Sequence, residues 1–485
     1  MHTLIIKLSN LSKLLVAVLL FFSIFVFGIY LFLDIESLLL LSVFILWLSL
    51  IFYSLINIHE RIVLFFLQIS IFTFILSRPI LDLLRNNNWI TNTYNYSKYA
   101  KPEITICILF ISLCGIFLGS TLAGLLKPKR HISHNVSGDY ILSLRFIAML
   151  IFAVSLPCEA LTGIEKILFR IEHSYNEYYT LFKSNFPYII YKISTFNKYS
   201  LFFLLATKPS KKTSTCVLII NIILTIPDVI VGSRGNLILS CFFALFYYIY
   251  RDYCGDSKRW LGKKEKYLLI TIIPIGIVFL GVFNYVRDGI QIHTISFINA
   301  IGDFFYKQGV TFSWISCGLG VIDQLPAHIN YSFGQIIDYL LYGALGQLVW
   351  ETAEIPSGNN VLHATHGNSL PHHLSYIILG NRYLNGHGTG SSYLLENFID
   401  FGYIGVFILS FLIGLFIIWG IQWSKNNYFF AIIFFLTIPG IIFMPRSEFG
   451  SVFSFIIYIQ FWFILIISII SALMLKTRIK KFSYK

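Results

Sequence analysis

Asn381-Arg-Tyr-Leu-Asn-Gly-His-Gly-Thr-Gly-Ser-Ser-Tyr-Leu-Leu-Glu-Asn-Phe-Ile-Asp-Phe-Gly-Tyr-Ile-Gly405 runs straight into the apolar segment Val406–Ile421. Glycines, hydroxyls, one Arg, one His and one Glu are gathered where a membrane span is about to begin. Glycine-punctuated polar backbone at that depth must be enclosed by protein or water, because hydrocarbon would leave its N–H and C=O groups unpaired. The stretch therefore reads as the lining of a hydrated cavity at the membrane surface. The rest of the chain reads as the frame that holds it.

That frame is apolar. Of 485 residues, 56% are hydrophobic and 12% charged, with a mean hydropathy of +0.75, which excludes an ordinary soluble multidomain protein. Recurrent apolar runs of about 20 residues define an all-α polytopic membrane protein. About twelve spans are expected, in one block over residues 14–286 and a second over 403–475. The least regular are Ile62–Leu76, Leu237–Tyr250 and Pro187–Ala206, the last carrying Lys192 and Lys198. Leu14–Leu33 is too long for a signal-peptide core and is expected to stay as the first span.

A net charge of +13 could suggest nucleic acid, but the cations are dispersed over short loops. With both termini cytoplasmic and the spans alternating, the inner loops hold most of the 36 Lys and Arg and few of the 23 Asp and Glu. That asymmetry is the positive-inside signature. It places residues 287–402 outside, as one large periplasmic loop. Inside it, Ile336–Val349 is too short to span and is expected to lie flat or re-enter. A second outer segment, Pro157–Phe186, is expected to form an interfacial helix. The 7 cysteines show neither a disulfide framework nor metal-ligand spacing.

No phosphate-binding P-loop, dinucleotide fingerprint or catalytic-serine elbow occurs. His363-Ala-Thr-His366 and His372-His373 match no zinc pattern, so no metal is expected. The arginines are more informative. Arg234, Arg287, Arg382 and Arg446 each stand at the outer end of a span beside Gly or Pro, against the positive-inside bias. Singly, each could snorkel to headgroups or pair locally, Arg287 with Asp288 and Arg446 with Glu448. Together they suit a diphosphate, which guanidinium groups grip bidentately at any accessible pH. Glu396 and His387 are the candidate general bases. Glu396 and Asp400, at i and i+4, share one helix face. Tyr94, Tyr96, Tyr175, Tyr178, Tyr179, Trp314 and Tyr383 could stack on sugars, or simply mark the interface.

Gly388-Thr-Gly-Ser-Ser-Tyr-Leu-Leu-Glu396, followed by Phe401-Gly-Tyr-Ile-Gly405, resembles the Gly/Ser-rich, Glu-containing, Phe-Gly-x-x-Gly segment of bacterial oligosaccharide repeat-unit polymerases of the Wzy type. Gly232-Ser-Arg-Gly235 at the head of a span, the late outer loop and the span number are similar to that family as well. The resemblance implies a metal-independent, lipid-donor glycosyltransferase of the inner membrane, with no cofactor and a GT-C-like arrangement similar to O-antigen ligases. Its substrates would be undecaprenyl-diphosphate-linked glycans as donor and acceptor, polymerised at the periplasmic face into O-antigen or capsule. A chain-length regulator is an implied partner. Ser391, Ser392 and Tyr383 are expected to contact substrate. The ligases have a His just before an Asn-Ser-Tyr-Leu-like string, whereas here Gly390 precedes Ser391 and the nearest His is His387, so the base stays open between His387 and Glu396. A ligase joining glycan to lipid A core, or a flippase, is the alternative reading.

Overall fold

The computed structural model describes residues 2–126, 138–256, 259–287, 297–356 and 358–483. Among these residues every regular element is helical. Nine helices there are long and apolar enough to cross a membrane, from Asn10–Leu33 to Tyr428–Arg446. The three other expected spans also fall on helices, Tyr188–Ala206, Lys263–Arg287 and Ile459–Ser483.

Several boundaries differ from the sequence expectation. The Ile62–Leu76 run belongs to a longer helical rod, Ile58–Leu84, which passes through a π turn at Phe72–Leu76. Pro79 supplies a reason: it lacks the N–H that would bond the Ile75 carbonyl, and the wider turn absorbs the mismatch. Tyr140–Leu156 lies within one helix, Gly138–Glu172, that continues past Pro157 into the expected outer segment. A short second helix, Tyr175–Leu181, follows there with a Ser174/Glu177 capping box. Ile336–Val349 becomes two short helices, Gly334–Tyr342 and Ala344–Trp350, separated at Gly343. The last long helix starts at Ile459 rather than Val452. The chain ahead of it is wound into 3-10 turns at Met444–Arg446, Phe449–Val452 and Ser454–Ile457.

The helix that carries the quoted stretch begins at Tyr393, ten residues before the apolar run was expected to become helical, and extends to Ser424. Gly402, at φ 62° and ψ −161°, breaks it into two segments. That conformation is readily reached only by glycine. The lower segment packs on Pro102–Leu125 through small residues. A methyl group at Gly119 would meet the Phe411 carbonyl oxygen at 2.0 Å, one at Gly115 that of Phe407 at 2.6 Å, and one at Gly414 that of Ile116 at 2.5 Å. Gly115-Ile-Phe-Leu-Gly119 is thus a small-xxx-small interface, which holds helices together by backbone approach where lipid gives no hydrophobic drive. Just above it, Ser112 Oγ meets the Tyr393 hydroxyl at 2.7 Å and Ser410 Oγ at 2.8 Å.

Candidate functional site

The quoted stretch turns at Gly390, whose φ is +73°, and enters its helix with Ser392 as N-cap, accepting from Leu394 N at 3.4 Å. One turn in, Glu396 is fully buried. Both its oxygens are engaged: Ser391 Oγ donates to Oε1 at 2.5 Å, and the Phe449 amide donates to Oε2 at 2.7 Å. Asp400, four residues on, accepts from Tyr331 N at 3.0 Å and Ser332 N at 2.6 Å. The shared face expected of these acids is therefore used to clamp. Glu396 ties the helix to the 3-10 segment before the last long helix, and Asp400 ties it to the turn at Tyr331 and Ser332. Ser392 is buried.

Around this helix lies a polar centre that the sequence did not single out. Glu448, on the turn between Arg446 and Phe449, is half-buried, and its Oε1 is closed off from solvent without a hydrogen-bond partner. Burial pushes its carboxyl up to about 7; the Ser369 hydroxyl opposes that rise and the Asp338 carboxylate adds to it. Asp338 Oδ1 accepts from Asn368 N at 2.7 Å and Asn368 Nδ2 at 2.8 Å, whereas its buried Oδ2 has no partner. Ser332 Oγ is buried and unpaired as well. His373 Nδ1 faces the Tyr331 hydroxyl at 3.1 Å, and its Nε2 makes no hydrogen bond.

The neighbouring histidines form a neutral stack. His363 and His372 lie ring on ring, 3.7 Å between centroids. His372 Nδ1 meets the Tyr383 hydroxyl at 2.7 Å. Burial, reinforced by His363 and His373, drives His372 down to about 3, so it is neutral at physiological pH. Burial lowers His363 and His373 too. Tyr383, expected to contact substrate, is 1% exposed and edge-on to His372 and Tyr376. In this arrangement it braces the histidines. His387 follows a turn at Gly386; Asn359 Nδ2 bonds the carbonyls of Tyr383 and His387 at 2.8 and 2.9 Å, and His387 Nδ1 is buried and unpaired.

Two of the four arginines border one aromatic pair, Phe74 and Phe443, Arg446 by its side chain and Arg234 through its neighbour Gly235. Arg234 is buried at the N-cap of Gly235–Cys254, after a left-handed Gly232. A methyl group at its neighbour Gly235 would lie 3.7 Å from the Phe443 ring. Phe443 meets Phe74 edge to face at 5.5 Å, and the Arg446 guanidinium lies over Phe74 at 5.4 Å. Arg446 Nη1 also donates to the Gln308 carbonyl at 3.1 Å and to Gln308 Oε1 at 3.2 Å. Arg382 is exposed on the short helix Asn381–Leu384. Arg287 ends Lys263–Arg287, and its side chain, like Asp288, lies outside the described residues. Arg78, which the sequence reading passed over, is buried beneath Tyr96 and Tyr306, with its guanidinium over both rings. Its one sequence signal is its place immediately before Pro79, just past the end of the apolar run Ile62–Leu76.

The frame is thus that of a many-helix membrane protein built around a kinked, glycine-led helix with buried carboxylates. The chain matches the model of the family described as O-antigen polysaccharide polymerase Wzy over residues 14–478, nearly its whole length, and it belongs to that family. It is accordingly a membrane glycosyltransferase of polysaccharide biosynthesis, an O-antigen polymerase. No curated protein and no solved structure matches it.

Proposed function

We propose that this polymerase takes a growing glycan from undecaprenyl diphosphate and joins it to the next lipid-linked repeat unit, at the periplasmic face of the inner membrane and without a metal ion. The observation that carries the reading is that Arg446 stacks over Phe74 while Gly235, next to the buried Arg234, borders the adjoining Phe443 ring, with Glu448 two residues after Arg446. Glycosyl transfer from a polyprenyl diphosphate breaks the bond from the anomeric carbon to diphosphate and forms one to an acceptor hydroxyl oxygen. The departing diphosphate gains negative charge, and fixed guanidinium groups stabilise that charge without reorganising. The acceptor proton must pass to a base. Glu396, which accepts from Ser391 and from the Phe449 amide, serves this reading by fixing the Phe449–Val452 turn, three residues after Arg446. Arg287 and Arg382 are further diphosphate contacts from the loop side, and a chain-length regulator would act on the finished product.

Purified protein in liposomes with lipid-linked repeat units and EDTA tests this. A ladder of longer glycans with release of undecaprenyl diphosphate, and no nucleotide sugar, is expected. Activity lost on chelation and restored by a divalent ion would overturn the metal-free mechanism. Transfer only to lipid A core would mark a ligase instead, and movement of glycan without lengthening a flippase.

A further inference from the structure

We infer that Glu448 is the general base of the acceptor site, taking the proton of the attacking sugar hydroxyl, within a polar lining formed by Asp338, His373 and Ser332. The inference rests on the polymerase reading above.

Geometry separates the two buried glutamates. Glu396 is inaccessible, and each of its oxygens already holds a donor, so a substrate hydroxyl could reach it only by opening the helix clamp. Glu448 is half-buried, and Oε1 is unpaired. Unpaired polar atoms also come from three other segments: Asp338 Oδ2, Ser332 Oγ and His373 Nε2, the last on a residue 1% exposed. These segments are tied together. Asp400 holds the amide of Ser332, whose carbonyl lies against Gly450, two residues after Glu448. Tyr331 reaches His373. Asp338 acts electrostatically on both Glu448 and His373. Buried polar groups are normally satisfied; a cluster left open around one carboxylate is suited to a ligand that brings its own hydroxyls, as a sugar does.

The placement also fits the reaction. Glu448 is two residues from Arg446, so their Cα atoms are at most about 7 Å apart. A base there can serve a hydroxyl attacking a carbon whose leaving group the arginine holds. The titratable groups interacting with Glu448 are Glu396 from the kinked helix, Asp338 from the helix Gly334–Tyr342 and Tyr458 just before the last long helix, with Arg446 two residues away in the chain. The acids, together with burial, bring the carboxylate into the range where a base works near neutrality.

Initial rates of glycan extension, measured from about pH 5.5 to 8.5 on the full-length protein in liposomes, decide the matter. Wild type should gain about tenfold per unit below about pH 7 and level off above it. Glu448→Gln should lose on the order of 10²- to 10⁴-fold while reaching the membrane at normal levels. Glu448→Asp should keep part of the rate with a displaced inflection. A pH-independent wild-type rate, or a Glu448→Gln ladder within threefold of wild type, overturns the inference and leaves polymerisation standing. A wild type that never extends lipid-linked units overturns both readings.

Discussion

Arg446 and Arg234 separate a binding role from a membrane-anchoring one at the level of single side chains. If they grip the diphosphate, Arg446→Ala or Arg234→Ala should remove the glycan ladder at normal membrane levels. Truncating one partner of a desolvated charge pair costs on the order of 2–5 kcal/mol, or about 30- to 5,000-fold in the step concerned. Arg446→Lys should rescue only in part, because a point charge replaces a planar fork and the stack over Phe74 is lost. Snorkelling predicts the opposite, full rescue by Lys. Gel ladders from cells lacking the native gene read the difference. The arginines drew the eye in sequence because cations expected at outer span ends run against a charge rule. Glu448 was not, because in sequence it is simply the nearest counter-charge to Arg446. Only folding shows it set against Asp338, with an oxygen that nothing fills.

At the level of the helix, the site depends on how closely two rods approach. Gly119 against the Phe411 carbonyl leaves no room for a side chain, and the obstruction is backbone, so neither helix can yield cheaply. Gly119→Val should push apart the pair that aligns Ser112 with Tyr393. Overpacking costs typically about 1–3 kcal/mol. The measurable outcome is reduced membrane accumulation and an earlier thermal transition in detergent. Gly28→Val is the control: nothing lies within 4 Å of a methyl group there, so both measurements should stay near wild type. A Gly119→Val protein as stable as wild type would remove this packing from the account. Apolar runs made the helices easy to read from sequence. Their ends were harder, because the Tyr393 start lies in polar sequence that becomes helical only when Ser392 caps it and Ser391 and Phe449 satisfy Glu396. The 3-10 turns at Phe449–Ile457 were likewise hidden in residues as apolar as a span.

Across the whole molecule, a site open to the periplasm requires one crossing above all, Lys263–Arg287. The helix has 25 residues, and at 1.5 Å per residue it is about 37 Å long, enough for a hydrocarbon core of about 30 Å even when tilted. Its first turn carries Lys263, Lys264 and Lys266, which the positive-inside bias favours on the cytoplasmic side. The chain beyond it reaches Gly358 and Asn359, and Asn359 is bonded to the site loop through the carbonyls of Tyr383 and His387. The side on which Gly358 lies is therefore the side on which the site loop opens. A reporter fused after Lys264 should read cytoplasm, and one fused after Gly358 should read periplasm. If both read the same side, Lys263–Arg287 is not a crossing. The arginines, Glu448 and the loop would then face the cytoplasm, and a donor carried on the outer leaflet could not reach them.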